Sequence, residues 1–339
     1  MFIQYTGLTK VCILLVFYQP AASTFDPMID PFSPISGDAL SSATCPGLYC
    51  GRITFNETTA NNLTYTECQA CPKGERPDQY SVCQSCLGEP VLYAWLYLGF
   101  MFLLTLILHF FFIDHFSKEI NVFALHVCAL LECVAAGIFT LLSVETVGDL
   151  RIKSCDVKRL SDWYTMFFNP VPDYKNKIHC TQEAVYPLYS MVFIFFGYQW
   201  VLMVLFRPIL SVKFCKNQGR NSIYAALYFL PILVVIHAVC AGLIYYSFPF
   251  LMIVISLITS AMHFLKQQET RLWHIFRGKR NILILFLHWT IHAYGIISFT
   301  ELENLKVHLP LLILVVVPSV FFILTYKFSD PTRILSFQP

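Results

Sequence analysis

Charged residues are scarce in this sequence of 339 residues. Asp, Glu, Lys and Arg together make up 13% of the chain, whereas hydrophobic residues make up 56%. A soluble domain needs a larger charged fraction to cover its surface, so this composition excludes an ordinary soluble protein. The formal net charge is only +2, and the basic residues lie in short clusters instead of one long stripe. Nucleic acid is therefore not an expected partner.

The sequence motifs of common enzyme classes are also missing. The chain has no Gly-x-Ser-x-Gly nucleophile turn, no glycine-rich phosphate loop and no His-Glu-x-x-His zinc motif. It also has no paired aspartates that would face each other on adjacent apolar segments. We therefore expect neither catalytic residues nor a cofactor, and we predict that the protein is not an enzyme.

Long apolar segments are what the chain does have. About 20 helical residues span the hydrocarbon core of a bilayer, and segments of that length predict an all-α, multi-pass membrane protein with seven transmembrane helices over 91–326. The fourth and fifth segments run together, and we place a turn at 245–249, where Ser247 and Pro249 favour one. The predicted spans are 91–113, 120–144, 184–206, 222–244, 246–265, 281–299 and 309–326.

The residues outside the predicted bundle divide into four parts. Lys10 precedes a short apolar run that ends in small residues, which is typical of a secretory signal peptide over 1–23. An amino-terminal extension without a targeting role is the alternative. Residues 24–44 are rich in Pro, Ser and Thr without periodicity, which predicts a disordered linker. Residues 45–90 are predicted to form a small cysteine-rich head, and 327–339 a short tail.

The distribution of Lys and Arg predicts the orientation in the membrane. Cytoplasmic connections carry an excess of these residues, and the connections after the first, third and fifth spans, together with the tail, carry more than the opposite ones. The chain has two Asn-x-Ser/Thr sequons, at Asn56 and Asn62, and both lie before the first span as candidate glycosylation sites. Both signals place the head in the lumen and the C-terminus in the cytosol.

Cysteine spacing in the head allows two interpretations. Six cysteines lie there, and four of them form two Cys-x-x-Cys pairs. An even number in an oxidising compartment favours disulfides, of undetermined connectivity, whereas a cytosolic head would favour a zinc site. Two more cysteines lie in the luminal connection 145–183 and could pair with each other. The disulfide candidates are Cys45, Cys50, Cys68, Cys71, Cys83, Cys86, Cys155 and Cys180.

Polar residues inside the predicted spans are further candidates for chemistry, because such residues are costly in hydrocarbon. His288 and His292 are four residues apart and share one helix face, where they could bind a metal or relay a proton, with Glu132 as a third ligand. The interpretation that we prefer is that these side chains form hydrogen bonds between helices and hold the bundle together. No metal is therefore expected.

The predicted cytoplasmic face is small and basic. No folded domain of catalytic size fits in three short loops and a tail, so this face is expected to offer short basic segments to partners or to lipid. The segment KRNILIL, 279–285, has the form of a kinase-docking peptide, although membrane anchoring by its basic residues is preferred. The partner-facing candidates are Arg207, Lys213, Lys216, Arg220, Arg271, Arg277, Lys279 and Arg280.

Several segments taken together resemble one known family. They are GLYCG (47–51), LYLGFM (96–101), SDWYTM (161–166), HCTQEAVYPLY (179–189), SIYAALYF (222–229), HAYGIIS (292–298) and RILS (333–336). In this order, from about residue 45 to residue 336, they are similar to the c-Jun N-terminal kinase-associated membrane proteins. Residues 1–44 extend beyond the usual start of that family.

The resemblance implies a seven-helix protein of the endoplasmic reticulum that acts in the stress response, including the unfolded protein response. It further implies binding to c-Jun N-terminal kinase and recruitment of proteasome subunits and a RING-type ubiquitin ligase, so that misfolded proteins are degraded. It assigns no residue to any of these contacts. The resulting prediction is a non-enzymatic membrane adaptor. The alternative is a seven-helix ligand receptor with a cysteine-rich ectodomain, although the chain lacks the receptor motifs Asp-Arg-Tyr and Asn-Pro-x-x-Tyr at the expected spans.

Overall fold

The fold was obtained as a computed structural model, which describes residues 44–56, 63–116, 123–144, 151–170, 179–214, 219–267 and 279–329. A small disulfide-rich head is followed by long apolar helices. The predicted signal peptide 1–23, the linker up to residue 43 and the tail from residue 330 lie outside the described residues.

Three small antiparallel sheets, each of two strands, make up the head. Segments of two or three residues cannot bury an ordinary hydrophobic core, so the head needs covalent links to be stable. Strand β1 (Cys50–Gly51) pairs with β4 (Gln69–Ala70), β2 (Thr54–Asn56) pairs with β3 (Leu63–Tyr65), and β5 (Glu75–Pro77) pairs with β6 (Cys83–Ser85).

Four disulfides supply those links. Two lie within the head, Cys45–Cys68 and Cys71–Cys83, and two tie the head to a later part of the chain, Cys50–Cys180 and Cys86–Cys155. All eight candidate cysteines are therefore paired. The predicted pairing of Cys155 with Cys180 is wrong, because each of them reaches a cysteine of the head. The zinc alternative fails as well, since its four cysteines are divided among three disulfides.

Six helical segments among the described residues are long and apolar enough to cross a membrane. Most of them match a predicted span to within a few residues, although α3 continues eight residues beyond its predicted end. The first five lie in the helices α1 (Leu92–Phe116), α2 (Phe123–Ser143), α3 (Leu188–Phe214), α4 (Arg220–Gln267) and α5 (Lys279–Thr300). The sixth segment, Leu305–Phe322, includes α6 (Leu305–Leu311) and the first part of α7 (Val317–Ser329).

Three short 3-10 helices complete the described chain. Leu160–Trp163 and Thr165–Phe168 lie in the connection between α2 and α3, and Leu312–Val315 joins α6 to α7. We call the end of the bundle at which α1 begins the head end, and the opposite end the far end. Since the Cys155 and Cys180 partners of the head also belong to the connection between α2 and α3, this connection lies at the head end.

Helix α4 corrects the predicted turn at 245–249. These residues are helical, and α4 continues through them as one segment of 48 residues. A straight α-helix of that length would be about 70 Å long, more than twice the thickness of the hydrocarbon core of a bilayer, which is about 30 Å. The fourth and fifth predicted spans are therefore parts of one helix.

Pro249 is tolerated inside α4 because another side chain replaces the hydrogen bond that proline removes. Proline has no N–H, so the carbonyl of the residue four positions earlier, Tyr245, has no helical donor. The hydroxyl of Tyr93, at the start of α1, donates to this carbonyl at 2.7 Å. Helices in membranes accept proline when a neighbouring helix satisfies the freed carbonyl in this way. A turn prediction from local sequence cannot detect such a distant donor.

The two parts of α4 have different neighbours. Before Pro249, α4 packs along α1, where the Phe229 ring stacks on Phe112 with centroids 5.5 Å apart. After Pro249, it packs along α5, where the Phe250 ring lies 5.3 Å from that of Phe299. Helix α4 therefore connects two halves of the bundle.

The largest core of the bundle lies between α1, α3 and α4. Lipid tails are as apolar as these side chains, so close packing, not exclusion of water, holds the helices together. Its fully buried side chains include Tyr97, Phe196, Met203, Leu230 and Phe248.

Candidate functional site

The head meets the bundle at a buried carboxylate, Asp162, in the first 3-10 helix of the connection between α2 and α3. It accepts hydrogen bonds from the Tyr49 hydroxyl at 3.0 Å and from the backbone N–H groups of Lys158 and Arg159 at 2.9 and 3.1 Å. The Arg76 guanidinium forms an ion pair with it at 2.8 Å. An ionised carboxylate can accept about four hydrogen bonds. Asp162 is therefore fully paired, as a buried charge must be.

Tyr49 connects this carboxylate to the disulfides. Its side chain is buried, and burial raises the pKa of its hydroxyl to about 12, so the hydroxyl remains a donor at neutral pH. The side-chain amide of Gln182 donates to the Tyr49 carbonyl, and the next residue, Cys50, is bonded to Cys180. Hydrogen bonds and a disulfide thus join the same two segments.

A second set of bonds holds another edge of the head. Cys86 is bonded to Cys155, whose N–H donates to the Tyr186 carbonyl at 2.8 Å. The neighbouring N–H of Ser154 donates to the Gly88 carbonyl at 2.9 Å. The head is therefore fastened to the connection between α2 and α3 at two places, and it can separate from the bundle only if both are broken.

Aromatic side chains next to Asp162 continue this contact into the bundle. The Trp163 ring lies 5.7 Å from Tyr97 of α1 and 5.0 Å from Tyr245 of α4, measured between ring centroids. A Cβ atom added at Gly242 of α4 would lie 2.9 Å from both Trp163 and Tyr164. The absence of a side chain at Gly242 therefore lets the connection lie directly on α4.

We call the contact of the head with residues 151–170 and 179–189, and with the adjoining ends of the helices, the junction. Four of the segments that carry the family resemblance meet there. GLYCG contributes Tyr49 and Cys50, SDWYTM contributes Asp162 and Trp163, and HCTQEAVYPLY contributes Cys180 and Gln182. LYLGFM contributes Tyr97 to the aromatic contacts. The junction is therefore the best-defined candidate site in the described chain, and what it does chemically is to hold the head in one position.

A second polar site lies inside the bundle, toward the far end. Arg207 of α3 is completely buried and forms an ion pair with Glu132 of α2, which is also buried. Arg207 Nη1 lies 3.0 Å from Nδ1 of His109 in α1, and the side-chain amide of Gln199 lies 3.0 Å from the other ring nitrogen. We call these four side chains the polar cluster. It joins α1, α2 and α3.

Hydrogen-bond chemistry fixes the state of His109. A guanidinium only donates, so His109 Nδ1 must accept, and the proton of the neutral ring lies on Nε2. The Gln199 side chain must then be oriented with its amide oxygen toward the Nε2–H of His109. This orientation gives Gln199 Oε1 a hydrogen-bond donor, which it otherwise lacks. The polar cluster thus satisfies its members inside an apolar bundle.

The polar cluster corrects two predictions. Arg207 was expected at the cytoplasmic face as a partner-facing residue, but its exposed fraction is 0%. Glu132 was considered as a metal ligand with the histidines of α5, but its carboxylate is occupied by Arg207. A single charge is costly in hydrocarbon, and pairing these two removes most of that cost.

His288 and His292 lie on α5, as predicted, but not with Glu132. The His288 ring lies 5.7 Å from that of His263 in α4, and the His288 carbonyl accepts a hydrogen bond from the Ser256 hydroxyl at 3.1 Å. These contacts link α4 to α5. Within the described ranges, no group of three or more His, Cys, Asp or Glu side chains could hold a metal ion.

Other predicted residues are distributed along the chain. Lys213, in the last turn of α3, and Arg220, at the start of α4, are exposed at the far end. Lys279 and Arg280 are the first two residues of α5, and Asn56 is the last residue of β2. Four predicted residues lie outside the described ranges: Asn62, Lys216, Arg271 and Arg277.

Sequence reasoning missed several residues that hold these sites together. Tyr49 and Asp162 are separated by 113 residues, so no local pattern links them. Arg76 likewise has no sequence signal that would distinguish it from a surface residue. Gln199 did have one, because it is a polar residue in the middle of an apolar helix, where polar groups need a partner.

Most of the chain is similar to proteins of one known family. The family model described as JNK1/MAPK8-associated membrane protein matches residues 45–331. The JNK1/MAPK8-associated membrane proteins of Mus musculus and Homo sapiens are each 47% identical over 298 residues, which cover 86% of this chain and 96% of the relative. The homolog from Caenorhabditis elegans is 28% identical over 326 residues, which cover 88% and 98%. No solved structure matches the chain.

Proposed function

The chain belongs to the family of JNK1/MAPK8-associated membrane proteins, and from this premise we propose that it is a non-enzymatic adaptor of the endoplasmic reticulum membrane that binds c-Jun N-terminal kinase. The observation that carries the proposal is the family match over residues 45–331, which includes the head and all the described helices. The names of the relatives support a kinase as the partner.

We further propose that the adaptor recruits proteasome subunits and a RING-type ubiquitin ligase during the unfolded protein response. Misfolded proteins would then be degraded close to the membrane that releases them, in endoplasmic-reticulum-associated degradation. The family resemblance is the basis of this part. The chain length fits it, because the stretches between the described helices at 117–122, 215–218 and 268–278 are too short for a catalytic domain.

The proposed orientation places the head in the lumen. Four disulfides are favoured in an oxidising compartment, and the exposed Lys213 and Arg220 lie at the far end, as expected for a cytosolic side. Glycosidase-shift electrophoresis tests it. The wild type should carry a glycan that endoglycosidase H removes, and the Asn56→Gln, Asn62→Gln double variant should carry none. Labelling of the head by a membrane-impermeant reagent from the cytosol would contradict the orientation.

We also propose that α4 is kinked so sharply at Pro249 that each of its two parts crosses the membrane, although no non-helical turn separates them, so that the chain makes seven crossings. The length of α4 and its two sets of neighbours support this arrangement. In addition, the Phe248 ring contacts both Tyr93, at the start of α1, and Phe100, two turns further along α1. Helix α4 therefore still lies beside α1 at Phe248 and has not passed beyond the start of α1.

An introduced cysteine tests the number of crossings. The Gln268→Cys variant in sealed microsomes should react with an impermeant maleimide from the cytosolic side if α4 crosses twice. Protection of this cysteine until the membrane is permeabilised would mean that α4 crosses once. The parent chain without the added cysteine gives the background from its free thiols.

Co-purification from cells, with and without endoplasmic-reticulum stress, tests the adaptor function. The kinase, proteasome subunits and ubiquitin ligase should be recovered with the full chain, and recovery should rise under stress. Reversing the charge of Arg271 and Arg277 to Glu should reduce recovery, whereas Lys153→Glu with Lys158→Glu, on the head side, should not. Unchanged recovery with the Arg271→Glu, Arg277→Glu variant would refute the proposal that these basic residues bind the partners. No recovery of the kinase with the wild type would refute the adaptor function.

A further inference from the structure

A groove of about 490 Å³ runs along the outside of the bundle between α2 and α3, toward the far end. Its base includes Leu202, which is 9% exposed, and the Glu132 carboxylate, which Arg207 neutralises. Its sides are apolar and open toward the surroundings of the bundle. They include Leu131, Phe206 and Ile209, each more than half exposed.

The groove has the length of one lipid leaflet. Its lining on α3 extends from Leu202 to Lys213, which is about 16 Å along a helix that rises 1.5 Å per residue. Half of the hydrocarbon core of a bilayer is about 15 Å thick. Lys213 is the last residue of the apolar span Leu188–Lys213. Its ammonium group is therefore placed where the hydrocarbon ends and the headgroups begin.

Charge at the mouth of the groove selects among lipids. Lys213 is exposed, and it is the one cation among the residues that line the groove. The one acidic residue of the lining, Glu132, is already paired with Arg207. The floor is therefore neutral and the mouth is positive, which complements an apolar chain attached to a negatively charged headgroup.

We propose that this groove binds one anionic glycerophospholipid, with an acyl chain between Leu131 and Phe206 and its acidic headgroup at Lys213. The proposal depends neither on the adaptor function nor on which side of the membrane the far end faces.

Retention of lipid by the purified full chain tests the proposal. The protein is reconstituted in nanodiscs of phosphatidylcholine and phosphatidylserine, returned to detergent, washed and analysed by native mass spectrometry. The wild type should retain one phosphatidylserine per chain in preference to phosphatidylcholine. Lys213→Gln should lower phosphatidylserine retention several-fold without changing the melting temperature. Arg220→Gln is the matched control, since Arg220 is an exposed cation of the far end that does not line the groove.

A second variant tests the apolar part of the groove. Ala135 lines it and is half-buried, so Ala135→Phe should fill the space and reduce retention of both lipids. If the Ala135→Phe variant does not fold, the Lys213→Gln variant alone tests the proposal, because replacing an exposed side chain should not disturb folding. Equal phosphatidylserine retention by Lys213→Gln and the wild type, or equal retention of the two lipids by the wild type, would overturn the proposal.

Discussion

A buried ion pair is stable only while both partners are present, and Glu132 and Arg207 form one in the apolar interior of the bundle. Glu132→Ala leaves the guanidinium without its counter-charge. We therefore expect the free energy of unfolding to fall by about 3–5 kcal/mol, the usual effect of breaking a buried pair. Arg207→Ala should have a similar effect. Thermal unfolding of the purified protein in detergent measures both.

Two further variants show whether the pair itself is responsible. Glu132→Leu combined with Arg207→Met removes both charges together, so most of the lost stability should return. Asp114 and His126 form a comparison pair at 3.2 Å, but the Asp114 side chain is 70% exposed. Asp114→Ala should therefore change stability by less than about 1 kcal/mol. A double variant as unstable as either single variant would exclude the pair as the cause.

The sequence predicted one half of this pair and misplaced the other. Glu132 was recognisable because it interrupts an apolar run, which marks a candidate site in any membrane protein. Arg207 was placed outside the membrane because hydropathy ended the third span at residue 206, whereas α3 continues to Phe214. A charged residue ends a span in a composition-based prediction, and only its partner on another helix allows the span to continue.

Among the helices, α4 depends on a contact with α1. The Tyr93 hydroxyl satisfies the Tyr245 carbonyl that Pro249 leaves without a donor. Tyr93→Phe should therefore lower the free energy of unfolding by about 1 kcal/mol, the net value of one hydrogen bond. In a Pro249→Ala background, the new N–H can bond to the same carbonyl, so Tyr93→Phe should have almost no effect. A double-mutant cycle of thermal unfolding measures this coupling.

An exposed tyrosine of α4 is the control for this cycle. The Tyr228 side chain is 72% exposed, so Tyr228→Phe should leave stability unchanged in both backgrounds. If Tyr93→Phe had the same effect with and without Pro249, the hydroxyl would be stabilising something other than the freed carbonyl.

Gly295 tests the contact between α4 and α5, and Gly197 of α3 is its control. A Cβ atom at Gly295 of α5 would lie 2.6 Å from Cγ1 of Ile253 and 3.1 Å from the carbonyl oxygen of Pro249. Gly295→Ala therefore forces the two helices apart, and a loss of about 1–3 kcal/mol in stability is expected. At Gly197 of α3 no atom lies within 4 Å of the added Cβ. Gly197→Ala should be neutral or stabilising by up to about 1 kcal/mol, because alanine favours helix. Equal melting temperatures for the two variants would mean that α4 and α5 do not approach each other closely at Gly295.

Helices were easier to predict from the sequence than the links between them. Runs of about 20 apolar residues specify a spanning helix almost independently of the rest of the chain, and five of the seven predicted spans correspond to separate helical segments. The break in α4 was wrong because the donor that satisfies Tyr245 lies 152 residues away. The strands of the head were not predicted, since each has only two or three residues.

For the molecule as a whole, the fastening of the head is the feature that the sequence could not supply. Counting cysteines indicated disulfides, but their connectivity depends on the fold. The two disulfides that tie the head to the connection between α2 and α3 join residues separated by 130 and by 69 positions. The Arg76–Asp162 ion pair strengthens the same contact. The head is consequently a fixed extension of the bundle instead of a separate domain on a flexible linker.

A protease site inserted between Gly88 and Glu89 tests this arrangement in the full chain. The cut separates the head from α1 in the covalent backbone, yet Cys50–Cys180 and Cys86–Cys155 still join the two fragments. One band is therefore expected on a non-reducing gel after cleavage, and two bands after reduction. Replacing Cys50 and Cys86 together by Ser should release the head without reductant, whereas replacing Cys71 and Cys83, whose disulfide lies within the head, should not. Release of the wild-type head without reductant would mean that neither disulfide reaches the bundle, and the junction would then depend on the Asp162 contacts alone.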